Sequence, residues 1–172
     1  RCDPEFTVDD YLRVTALKTG RYLVLGMLGG ALIGGVPEVT LQCLRKLGEN
    51  MGPAFQIRDD VIDLTAGEGR GGAIGNDIRE GKASILYAHA LRHCLPGDDE
   101  RLVAILRKPR AETTDADVAW AAKLYEDCGS VAFARDKADA LIAQAHAVLD
   151  DLPIAQQEPL KDIARHMAER SK

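Results

Sequence analysis

Strand-forming patterns are almost missing from this 172-residue chain. No run alternates β-branched or aromatic residues with polar ones, and aromatics make up only 5%. A sandwich or barrel is excluded, since its strands need such runs. The four cysteines, Cys2, Cys43, Cys94 and Cys128, include no CxxC pair. So wide a spacing suits neither a zinc site nor a disulfide framework. Reduced, mostly buried thiols in a cytoplasmic protein are expected. Positive charge is short as well: 22 basic against 27 acidic residues leave a net charge of −5, which argues against nucleic acid as the main partner. No signal-peptide pattern stands at the start. The longest apolar stretch, Tyr22 to Val36, runs to 15 residues, short of the roughly 20 that a transmembrane segment needs. It reads as a buried core helix. Its glycines, Gly26, Gly29, Gly30, Gly34 and Gly35, permit close neighbours at a subunit interface or product channel. The phosphate-loop spacing GxxxxGK[ST] is missing too.

Helical periodicity is what remains, with 46% hydrophobic residues to build a core. The length fits one domain or a large fragment of one. Arg1 at the start, where a methionine would stand, points to a fragment or cleavage product. Thr7 is placed to cap a helix with Asp10 at its third position. That helix is expected to carry Tyr11, Leu12, Val14 and Leu17 inward and to kink at Gly20. A second stretch ends near Pro37, and a third runs from Glu38 to Thr65. Residues 66–76 form a glycine-rich loop. Helices are expected again over Gly81–Cys94, Asp98–Lys108 and Asp115–Leu149, the last broken at Gly129, with a final one over 155–170. The fold class is all-α, a helical bundle.

Three groups carry chemistry. Residues 52–63 read Gly-Pro-Ala-Phe-Gln-Ile-Arg-Asp-Asp-Val-Ile-Asp. Asp59 and Asp63 are four apart and share a helix face, with Gln56 one turn earlier. Like charges so spaced cost a helix about 0.2–0.5 kcal/mol per pair. Phe55, Ile57, Val61, Ile62 and Leu64 surround them, so these acids need a cation. A ligand set made only of oxygens suits Mg²⁺. Lys18-Thr19-Gly20 at the kink is the second group. The third is the loop leading to Asp77 and Glu80-Gly81-Lys82, whose lysine is a point charge suited to phosphate. Singly, each has a plain reading as a solvated face, a chance tripeptide or an ordinary loop. Their conjunction and order carry the information.

Phe55 to Asp63 is similar to the second aspartate-rich motif of the trans-isoprenyl diphosphate synthase (polyprenyl synthetase) family. Lys18-Thr19-Gly20 resembles that family's Lys-Thr pair on a kinked helix, and Gly75 to Lys82 resembles the segment after the motif. Leu152-Pro153, Leu160 and 164–170 resemble its C-terminal helix. The resemblance spans nearly all 172 residues and implies the C-terminal part, 1–172, of a single isoprenoid-synthase helical domain. It implies a chain-elongating prenyltransferase that condenses isopentenyl diphosphate with an allylic diphosphate by ionisation, condensation and elimination. Asp59 would be the principal Mg²⁺ ligand, with Asp60 and Asp63 completing the metal site through bound waters or outer contacts. Lys18, Gln56 and Lys82 would bind the allylic diphosphate, and the Thr19 carbonyl would steady the cation. A homodimer is implied as well.

Two departures stand out. The family's loop lysine falls at Gly72 or Ala73 here, with Arg70 the nearest cation. The first aspartate-rich motif and the arginines that bind isopentenyl diphosphate are not in these 172 residues. A terpene cyclase-like enzyme and a non-catalytic subunit of a heteromeric synthase are the alternatives. His89 and His93 stand at i, i+4 without a third ligand, so a structural role is preferred to metal binding. Trp120, Tyr125 and Phe133 suit a core. The 172 residues alone are expected to show no prenyl transfer. An assay with farnesyl and isopentenyl diphosphates checks this, and turnover overturns it.

Overall fold

Three helices of this chain start where a short polar side chain, Thr7, Ser84 or Thr114, meets the N–H groups that a first turn leaves unpaired. The computed structural model describes residues 2–65, 74–152 and 161–162, and every regular element among them is helical. α1 (Val8–Thr15) opens with the expected reciprocal cap: Asp10 N–H donates to Thr7 Oγ1 at 3.1 Å, and Thr7 N–H donates to Asp10 Oδ2 at 3.2 Å. α2 (Arg21–Ile33) and α3 (Glu38–Thr65) follow. α4 (Asn76–Arg79) is a single turn, and α5 (Ile85–His93), α6 (Asp98–Leu106), α7 (Asp115–Asp127) and α8 (Ser130–Asp150) complete the order. Thr114 and Asp117 close a capping box on α7. Asp98, Asp99 and Glu100 fill the first turn of α6, where the helix dipole favours negative charge.

Some boundaries differ from expectation. The helix expected from Gly81 begins at Ile85, because Ser84 is extended and caps it by accepting Tyr87 N–H. α4 forms where the loop was expected to reach Asn76. The break at Gly129 is present, with φ +69. Residues 66–73, with Arg70, Gly72 and Ala73, lie outside the described residues, as does the expected final helix apart from 161–162.

The chain forms two compact units: Arg1–Tyr11 with Asp59–Arg135, and Leu12–Arg58 with Asp136–Lys172. α5 is the core of the first, with Ile85 to Ala90 all buried. There the His89 ring stacks between His93 and Phe133, at centroid distances of 3.8 and 4.2 Å. His89 Nδ1 lies 3.0 Å from Ser130 Oγ, and His93 Nδ1 lies 2.8 Å from the His89 carbonyl oxygen. Tyr125 is buried, and Trp120 lies under the Arg101 guanidinium. In the second unit Leu44, Leu47 and Met51 of α3 pack with Ala145, Val148, Leu149 and Leu152.

Three burial expectations are corrected. In α2 only Val24 is buried, while Tyr22, Leu25, Leu32 and Ile33 are exposed. Apolar residues encircle this helix, but the described chain packs on one side, where Leu23, Met27, Leu28 and Ala31 meet the α3–α8 cluster. Val14 and Leu17, expected inward, are each 50% exposed, whereas Tyr11 is buried. Of the cysteines only Cys2 is fully buried, and all four are free. No described helix is long and apolar enough to cross a membrane.

The kink expected at Gly20 is a π-turn, Ala16–Gly20, in which Arg21 N–H reaches back to the Ala16 carbonyl. It coincides with a close backbone approach to α3. A Cβ on Gly20 would stand 2.3 Å from Gly48 O, and one on Gly52 would stand 2.3 Å from Gly20 N. Around Gly26, Gly29 and Gly30 nothing within the described chain lies within 4 Å; the close approach inside the chain is made by Gly20, Gly48 and Gly52. Gly52→Ala is expected to cost about 1–3 kcal/mol, since neither backbone can yield without strain. Gly26→Ala is expected to be neutral or stabilising by up to about 1 kcal/mol. Urea midpoints at constant slope measure both, and an unchanged midpoint for Gly52→Ala sinks the packing account.

Candidate active site

The last turns of α3 carry Asp59, Asp60 and Asp63. Adjacent helical residues diverge by about 100°. Asp59 is accordingly half-buried, while the Asp60 side chain has no exposed surface. A buried carboxylate must be paired. Lys82 Nζ donates to Asp60 Oδ1 at 2.7 Å, and Tyr11 OH donates to Oδ2 at 2.7 Å, with Ile85 N–H at 3.5 Å from the same oxygen. Lys82 donates again to Asp77 Oδ2 at 2.5 Å. Asp77 N–H in turn donates to Asp63 Oδ2 at 2.9 Å, and Gly75 N–H to the Asp63 carbonyl at 2.9 Å.

The turn that delivers Lys82 is built for close approach. Gly81 has φ +63, and a Cβ there would stand 2.1 Å from Leu106 O. Cys2 Sγ donates to the Gly81 carbonyl at 3.1 Å. On α4, Arg79 donates to Thr113 O at 2.7 Å, and Arg110 donates to Glu80 and Asn76 at 2.5 Å each.

Electrostatics follow from this placement. Burial alone would lower the Lys82 pKa, but the Asp60 and Asp77 carboxylates outweigh it and hold the ammonium well above its ordinary value. Burial, then the Asp60 charge, pushes the Tyr11 phenol far upward, so it remains a donor. Burial raises Asp63, opposed by the Asp77 N–H and by Lys82.

Asp60, Asp63, Asp77 and Lys82 line a cleft of about 10 Å³, on the scale of one ion or water. Among its described lining residues, three carboxyl groups face one ammonium. All the anionic donors are oxygens, which fits Mg²⁺. Among the described residues no three carboxylate, histidine or cysteine groups converge as a preformed cage.

The structure thus brings together Asp60, Asp63 and Lys82. Gln56 is half-buried on α3, Lys18 is exposed in the π-turn, and Thr19 beside it is half-buried. Tyr11 and the full role of Asp77 escaped the sequence. A tyrosine in an amphipathic helix carries no signal beyond core packing, and Asp77 stood out only by preceding Lys82. Tyr11 and Lys82 each donate to one Asp60 oxygen, so this residue anchors the Lys82 ammonium from within the protein.

Asp63 binds its proton more tightly folded than unfolded, because its pKa is raised. Its charge therefore weighs against the fold above the raised value, and that burden fades as pH falls to the ordinary 3.8. Asp63→Asn keeps an acceptor for Asp77 N–H and removes the charge. Without metal, the variant is expected to melt above the parent at about pH 7, with no difference below pH 3.8. Thermal melts across pH test this, and a lower melting temperature at neutral pH contradicts it.

Residues 1–125 match the family model described as Polyprenyl synthetase. The chain is 32% identical over 169 residues to a geranylfarnesyl diphosphate synthase of Natronomonas pharaonis, covering 97% of this chain and 47% of that protein. It is 36% identical over 152 residues to a nonaprenyl diphosphate synthase of Mycobacterium tuberculosis, covering 86% and 44%. Among solved structures, geranylgeranyl pyrophosphate synthetase from Pyrococcus horikoshii Ot3 superposes with a TM-score of 0.83 at 32% identity, over 98% of this chain and 51% of that one. Polyprenyl synthase from Caulobacter crescentus CB15, complexed with calcium and isoprenyl diphosphate, gives 0.82 at 30%, over 99% and 52%. The chain spans about half the length of the relatives it matches. On helix order, site residues and these likenesses together, it belongs to the polyprenyl synthetase family.

Proposed function

We propose that this chain is the C-terminal part of one helical domain in a chain-elongating prenyl diphosphate synthase. The observation that carries the reading is Lys82, held between Asp60 and Asp77 at the rim of a carboxylate-lined cleft. Family membership and the names of the relatives support it.

In the proposed reaction the allylic carbon–oxygen bond breaks and diphosphate departs. The double bond of isopentenyl diphosphate attacks the allylic carbon, and a proton is then lost. Charge grows on the leaving group in the transition state, so cations already in place contribute most of the rate. Bound Mg²⁺ would supply Lewis-acid stabilisation of that diphosphate. Asp59 and Asp63 would hold it, with Asp60 and Asp77 behind them. Lys82 offers the diphosphate an N–H that no described residue accepts. Lys18, Thr19 and Gln56 join the site on the strength of resemblance. The same reading takes the working enzyme as a cytoplasmic homodimer.

Mg²⁺ with a bisphosphonate is expected to raise the melting temperature of the chain by roughly 5 °C or more at saturation. Asp59→Asn is expected to remove most of that rise while leaving the ligand-free melt within about 1 °C of the parent. No rise in the parent rejects the diphosphate site.

A further inference from the structure

Two guanidinium groups cross between α4 and the approach to α7 in opposite directions. Arg79, on α4, donates to the Thr113 carbonyl oxygen at 2.7 Å and to the Asp115 carboxylate. Arg110, in the 3₁₀ turn Arg110–Glu112, donates back to Glu80 Oε1 and to Asn76 Oδ1, each at 2.5 Å. The far end of this tie is itself held. Thr113 is buried, Thr114 and Asp117 close the capping box of α7, and Lys108 Nζ donates to Asp117 Oδ2 at 2.8 Å.

What is tied is a turn too short to persist by itself. A lone helical turn fixes several dihedrals for one hydrogen bond, and α4 has only four residues. Its inner side rests on the buried Ile78 and on the bonds that Gly75 N–H and Asp77 N–H give to Asp63. Asn76 and Glu80 stand four apart and so share one face, and the fork of Arg110 takes both. Asp77 lies inside the stretch so closed. Lys82 is placed from it: its N–H donates to the Asp77 carbonyl oxygen at 3.0 Å, and its ammonium to Asp77 Oδ2 at 2.5 Å. The pitch of this turn therefore bears on where both groups stand in the cleft.

We propose that Arg110 is a positioning residue for diphosphate: with Arg79 it clamps α4 to the approach to α7, and so holds Asp77 and Lys82 in place before a ligand arrives. This rests on the reading of the cleft as a Mg²⁺–diphosphate site. Arg110 is not among the residues that line that cleft, so it acts through the turn. Its side chain is 56% exposed and that of Glu80 53%, and an ion pair so exposed adds little to global stability. The effect falls on binding, because a turn left unclamped must be ordered when the ligand binds.

The test is calorimetric titration of the 172-residue chain with inorganic diphosphate in the presence of Mg²⁺. Arg110→Ala is expected to weaken binding about fivefold, the scale of one net hydrogen bond. Its ligand-free melting temperature is expected to stay within about 2 °C of the parent. Arg110→Lys keeps the charge but not the fork, and is expected to lose about threefold or more. Parent affinity in Arg110→Lys means that charge alone acts, and parent affinity in Arg110→Ala means that the clamp does nothing for binding. Either result overturns the positioning role while the diphosphate site stands. A larger drop in the ligand-free melt makes Arg110 a residue of general stability and overturns the role as well. Absence of binding by the parent chain overturns the site and the clamp with it.

Discussion

The buried charge of Asp60 is the constraint from which the rest of the first unit follows. Removing a carboxylate from water carries an effective penalty of several kcal/mol. The fold offsets this with an ammonium, a phenol and a backbone N–H. Each of these comes from a different stretch of chain, so meeting the demand organises the unit. α1 must present Tyr11, α5 must begin at Ile85, and the turn after α4 must deliver Lys82. That turn has to be tight, and Gly81 sits where any side chain would strike the Leu106 carbonyl. One buried acid thereby specifies a helix start, a glycine and a lysine.

The second unit is organised by an absence of side chains. Gly20, Gly48 and Gly52 let two helix backbones touch. Close approach at that point coincides with a local i→i+5 bond and the π-turn that holds Lys18 and Thr19. Single π-turns within helices often mark functional positions. Here the sequence reason is visible: a glycine in the turn faces two glycines one helical turn apart on α3. Lys18 is exposed and Thr19 half-buried in that turn.

How much of this was legible in the sequence depended on whether the signal was local. The cap at Thr7, the start and end of α3 and the break at Gly129 could be read because short-range hydrogen bonds and glycine geometry determine them. The acidic motif was legible because its residue types and spacing conflict with ordinary helix composition. Burial was less legible. α2 looks like core by composition, yet composition cannot say on how many sides neighbours stand, and Tyr22, Leu25 and Ile33 are exposed. Tyr11 could not be found at all, since its partner is 49 positions away and nothing in its own helix marks it. The same holds for the division of labour among Asp59, Asp60 and Asp63. The helix period separates their directions, but only tertiary contacts decide which direction is inward.

Charge arithmetic connects that division to chemistry. Lys82 is shared by Asp60 and Asp77, and Asp63 contributes a further carboxylate whose pKa burial has raised. Among the described residues that line the cleft, one ammonium faces three carboxylates, an excess of acid over base. A structure under selection for stability alone would relieve that excess with a second basic residue or remove an acid. Under the proposed function a divalent cation would offset that excess, and the bound cation would in turn favour an anionic ligand. Lys82 lines the same cleft, so a polyanion there would meet an attraction from two sides. The unbalanced carboxylates and the buried anchor are therefore two parts of one device. Asp60 holds a protein cation, Lys82, and under the proposed function its neighbours would hold a foreign one.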